Sequence, residues 1–107
     1  MAAIEDLDVW KRASRLCVEV YKIFAACKDY GFRDQITRSA LSVPSNVAEG
    51  AERGSDREFA RFLRIAKGSA AELRTQLHIA YELDYLSRPI TTDWWTKQFK
   101  FRACSTN

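Results

Sequence analysis

The sequence predicts an all-α protein, an up-down-up-down antiparallel four-helix bundle, and three observations carry that prediction. Apolar residues recur at helical spacing through four segments. Strand signals are missing, with no sustained alternation, no Asn-Gly hairpin and few β-branched clusters. The stretches between segments are short enough to make successive helices antiparallel neighbours. A chain of 107 residues with 47% apolar and 12% aromatic content suits one domain, 1–107, around a single core.

The first helix is expected at about 7–27, where Leu7, Trp10, Cys17, Val20, Tyr21 and Phe24 fall on one face of a 3.6-residue repeat. Lys28 to Phe32 forms the first connection, with Gly31 expected in a left-handed turn. The second helix, about 33–52, aligns Ile36, Ala40, Val43, Val47 and Ala51 along one seam and is closed by Gly54. Pro44 interrupts that pattern. It has no N–H to donate to the Ala40 carbonyl and crowds it, at a cost of about 3 kcal/mol, which predicts a kink or break near Val43.

Ser55-Asp56-Arg57-Glu58 has the Ser-x-x-Glu spacing of a capping box and starts the third helix, about 56–86. Phe59, Phe62, Ala66, Leu73, Leu77 and Ala80 hold its seam over a length of roughly 45 Å. Ser87-Arg88-Pro89 stops it, and Thr91 or Thr92 caps a fourth helix, about 91–104, carrying Trp94, Trp95, Phe99 and Phe101. Trp94 and Trp95 lie about 100° apart on a helix, so one of them is pushed toward the rim. Together with Phe99 they are candidate contacts of self-association, the alternative being tryptophans laid along the bundle edge.

Several chemistries are disfavoured. Cys17, Cys27 and Cys104 make an odd set without CxxC spacing, and His78 has no partner at metal-ligand spacing, so no cofactor, structural metal or disulfide framework is expected. Cys17 is in phase with the apolar face and reads as a small core hydrophobe. No Glu-x-x-His pair, Gly-x-Ser-x-Gly elbow or phosphate loop is present, which argues against an enzyme. The N-terminal MAAIEDLDVW is acidic, and no long apolar run follows, so the expectation is a cytoplasmic protein without a membrane partner.

Polar residues inside the periodic pattern are more informative. Gln35, Ser39, Ser42, Asn46, Glu49 and Arg53 follow a 4-3-4-3-4 spacing beside the apolar seam of the second helix. Ser69, Glu72 and Gln76 do the same on the third, and two such stripes can meet as a hydrogen-bonded network that registers the helix pair. A ligand or partner site is the alternative. Gly68, with Ser69, Ala70 and Ala71, suggests a close helix approach, because a mid-helix glycine costs about 1 kcal/mol relative to alanine.

The run from Ser42 through Pro44, Asn46 and Glu49 to Gly50 is preceded by Asp34-Gln35. It is followed by Glu58-Phe59, Phe62-Leu63, Ala66-Lys67-Gly68-Ser69, Glu72-Leu73 and Thr75-Gln76-Leu77. Over about Leu7 to Leu86 this pattern closely resembles the four-helix-bundle family of 23S rRNA intervening-sequence proteins, often labelled S23 ribosomal protein. The resemblance implies a homopentamer of side-by-side bundles. It also implies kinship with the accessory variability determinant of diversity-generating retroelements, a basic pentamer that partners a reverse transcriptase and nucleic acid.

Charge gives an independent indication. The net charge is +3, but between residues 57 and 74 Arg57, Arg61, Arg64, Lys67 and Arg74 face only Glu58 and Glu72. With Arg53 across a tight turn at Gly54, these form a candidate phosphate-binding face whose field an oligomer would multiply. A solvated helix face is the ordinary alternative. Two functions follow: an oligomeric protein that binds RNA or DNA or assists a reverse transcriptase, and an oligomeric protein-interaction scaffold.

Overall fold

The computed structural model describes residues 4–90. After a short 3-10 turn at Ile4–Asp6 come three helices: α1, Asp8–Phe24; α2, Tyr30–Glu52; and α3, Asp56–Glu82. There is no strand among the described residues. The expected fourth helix at 91–104, with Trp94, Trp95 and Phe99, lies outside them.

α2 is the central element and packs against both α1 and α3. Its seam of Ile36, Ala40, Val43, Val47 and Ala51 is buried throughout, as the spacing requires. Cys17, Val20 and Phe24 from α1 and Leu73, Leu77 and Ala80 from α3 close one end of the core; Ala13, Ala66 and Ala70 close the other with Val43 and Val47. Burial raises the pKa of the Cys17 thiol, in keeping with a core hydrophobe. Tyr21 is a correction: it is 45% exposed, because the α1 contact face is narrower than its run of apolar residues.

Of the kink or break expected near Val43, the break does not occur: α2 continues as helix through Pro44. The proline is buried, and Val43 and Val47 on either side of it are at 4% and 0% exposure. Burying two such side chains contributes about 1.5–3 kcal/mol each, enough to offset the roughly 3 kcal/mol a mid-helix proline costs.

The termini are set locally. α2 starts three residues earlier than expected because the Asp29 carboxylate accepts from the Phe32 N–H at 3.3 Å. Gly31 therefore sits inside the first turn rather than in a left-handed conformation. Gly54 does adopt positive φ, 82°, and ends α2. Ser55 Oγ accepts from the Glu58 N–H at 3.2 Å and starts α3 at the expected place.

α3 stops at Glu82, before the expected end near residue 86. Asp84 takes φ of 63°, with Asp84 N donating to Tyr81 O at 3.0 Å and Tyr85 N to Ala80 O at 2.8 Å, a Schellman closure with aspartate where glycine is usual. The reversal turns Tyr85 back toward the α1–α2 connection. Its hydroxyl donates to Asp29 Oδ2 at 2.9 Å, and its ring meets Phe32 edge-on at 5.6 Å, while Phe32 packs on Phe24 at 6.0 Å. The bond to Asp29 holds the phenol proton and raises the Tyr85 pKa.

At the other end of the α2–α3 pair the helices approach closely at Gly50. A Cβ there would lie 2.7 Å from Phe62 Cβ and 3.1 Å from Phe59 Cδ1. Gly68, expected to mark the close approach, has nothing among the described residues within 4 Å of where its Cβ would be.

Candidate functional site

Beside the apolar seam, α2 and α3 meet along a second line made of polar side chains. Ser39 Oγ shares its proton between Gln35 O and Glu72 Oε1, both at 3.1 Å, and Ser42 Oγ lies 2.8 Å from Ser69 Oγ. A step forward on α2 is matched by a step back on α3, as antiparallel helices require. Asn46 Nδ2 donates to Ser42 O at 2.8 Å and Ser42 Oγ at 3.0 Å, which fixes the serine from below. Five of the sequence-predicted residues thus join in two bonded groups, Ser39 with Glu72 and Ser42 with Asn46 and Ser69.

Gln35 and Gln76 line the same groove, about 370 Å³ in volume. Gln76 is 8% exposed, and its Oε1 is buried without a hydrogen-bond partner among the described residues. Glu49 does not belong to the network. It pairs with Arg53, with Arg53 Nη2 at 3.0 Å from Glu49 Oε2, and both side chains are about half exposed. One turn of helix separates Glu49 from Asn46, and that turn carries it round to solvent.

Arg38 was missed by the sequence reading and also lines the groove. Its signal was available, since 38 sits three residues after Gln35 and four before Ser42 and so shares their stripe. Arg38 has no ion-pair partner among the described residues.

The basic residues divide into two groups. Arg53 and Arg61 are held against Phe62, their guanidinium carbons 5.0 and 4.7 Å from the ring centroid, and each also has a carboxylate. Arg61 Nε lies 3.5 Å from Glu58 Oε2, and Arg53 is committed to Glu49. Arg57, Arg64, Lys67 and Arg74 make no ion pair among the described residues. Arg57, Arg61 and Arg64 follow one another at helical spacing on the solvent side of α3, whereas Lys67 and Arg74 are turned roughly 80–100° away from them. The six cations do not form one patch.

Among the described residues no group of three or more His, Cys, Asp or Glu side chains could hold a metal ion. None of the described helices is long and apolar enough to cross a membrane.

The sequence model of the 23S rRNA-intervening sequence proteins matches residues 5–101, nearly the whole chain. The chain belongs to that family. The match reaches beyond Leu86, where the resemblance in the motif-bearing helices ends, and takes in both runs that line the α2–α3 pair. No curated protein is significantly similar to this 23S rRNA-intervening sequence protein.

Proposed function

We propose that this chain is the non-enzymatic subunit of a homo-oligomer that binds RNA or DNA through the outer face of α3. The observation that supports this reading is the alignment of Arg57 and Arg64 on the exposed side of α3 without carboxylate partners among the described residues. Arg61, between them, retains the guanidinium plane that can exchange Glu58 for a phosphate. Arg57 and Arg64 of one chain alone bind weakly. Copies brought together sum their field, and each phosphate contact releases counterions, so assembly and binding are linked. A homopentamer, and partnership with a reverse transcriptase, belong to the same reading through the family resemblance.

The test is fluorescence anisotropy with labelled single-stranded RNA and DNA, alongside light scattering. The expected result is an assembly of about five subunits, with affinity that falls steeply with salt. Replacing Arg57 and Arg64 with glutamine should weaken binding and flatten the salt dependence. No binding at low salt would overturn the nucleic-acid reading.

The scaffold reading has its own support. Ile65 and Ile79 on α3, Leu83 just past its end, and Val18, Tyr21 and Ile23 on α1 are large, apolar and exposed on the single chain. Assembly without nucleic-acid binding is its expected outcome.

A further inference from the structure

We infer that the polar groove between α2 and α3 is a binding site for a small zwitterion of the α-amino-acid class. The helix pair leaves hydrogen-bonding capacity unused along this groove. Ser42 and Ser69 bring two hydroxyl protons, and the 2.8 Å bond between them uses one. Ser42 Oγ already accepts from Asn46, so one hydroxyl proton is spare whichever serine donates. Glu72 spends Oε1 on Ser39, and its second oxygen has no partner among the described residues. Gln76 Oε1 is buried and has no partner among the described residues, a state that is costly if nothing fills it.

Arg38 adds a guanidinium on the opposite helix. It and Glu72 line the same groove, yet they form no ion pair within 4.0 Å of each other. A pure anion would meet Glu72 and a pure cation would meet Arg38. A molecule with a carboxylate for Arg38 and an ammonium for Glu72 satisfies both, and the carboxylate can also accept the spare serine proton. The unpaired Gln76 carbonyl selects a ligand side chain that carries a hydrogen-bond donor, reached by rotation of its terminal amide. Among the described residues the groove has no aromatic lining, which disfavours a nucleobase, and its volume of about 370 Å³ is at the small end for ligand sites.

The probe is L-glutamine, titrated to millimolar concentration into the ¹⁵N-labelled full chain and followed by NMR. The expected result is saturable shifts at Ser39, Ser42, Ser69 and the Gln76 side-chain amide. N-acetyl-L-glutamine, which lacks the ammonium, and L-glutaminamide, which lacks the carboxylate, should each bind at least about tenfold more weakly. Arg38→Gln, at an exposed position, should lose affinity by a similar factor while its melting temperature stays unchanged. Absence of saturable shifts, equal response to all three probes, or indifference to Arg38→Gln would each overturn the proposal. So would protection of the groove amides by self-association alone, since the groove would then be a subunit contact.

Discussion

α2 and α3 meet along two adjacent seams, and the two do different work. The apolar seam, Ile36, Ala40, Val43 and Val47 facing Leu73, Leu77 and Ala66, excludes water and supplies most of the stabilisation. Apolar contact is nearly indifferent to a slide of one helix along the other. The polar seam is not: Ser39 meets Glu72 and Ser42 meets Ser69 only in one register, and a slip of one turn would break both contacts. Stability and register therefore sit on neighbouring faces of the same two helices, and substitutions should separate them.

The largest effect is expected in the apolar core. Phe24 is fully buried between the three helices, and Phe24→Ala should cost about 3–5 kcal/mol in chemical denaturation, the cavity adding to lost transfer energy. A loss below about 1 kcal/mol would mean that the core is not closed at that end. Gly50→Ala comes next. The added methyl meets Phe62 Cβ at 2.7 Å, on a backbone that must move with it, and should cost about 1–3 kcal/mol through overpacking. Gly68→Ala is the internal control, expected to raise stability by up to about 1 kcal/mol because nothing among the described residues opposes the methyl. A thermal melt of both variants reads the contrast, and equal effects would contradict the placement of the close approach.

Within the polar stripe the expectation splits between two residues three apart. Asn46→Ala removes the donor that holds Ser42 and should cost about 1 kcal/mol. Glu49→Ala removes half of an exposed ion pair and should cost no more than about 0.5 kcal/mol. Similar losses in the two would return Glu49 to the network.

Much of this was legible in the sequence, and the failures share a cause. Helical periodicity located the α2 and α3 seams residue by residue, and the Ser55 cap placed the start of α3. Misjudged positions were those where a local preference met a tertiary constraint. Pro44 is a helix breaker in isolation, but the buried valines beside it hold the helix. Gly31 and Gly68 looked like turn and contact glycines, yet neither residue type says which neighbour it will meet; Gly50, inside the recognisable motif, carries the close contact. Asp84 in a left-handed conformation could not be read, since aspartate rarely marks a helix end and the closure depends on Tyr85 reaching Asp29 and Phe32. In the groove, the stripe spacing found the serines, Asn46 and Glu72. Which of them pair across the helices depends on the relative rotation of α2 and α3, which no single-helix pattern contains.

The claim that the polar seam couples the two helices is tested most directly by a double-mutant cycle on Ser42 and Ser69. Ser42→Ala, Ser69→Ala and the double variant are compared by chemical denaturation under one set of conditions. The hydroxyls are 2.8 Å apart, and the account predicts a coupling energy of about 0.5–1.5 kcal/mol, the double variant losing less than its two parents combined. Additivity within about 0.3 kcal/mol would contradict it and reduce the seam to two independent surface stripes.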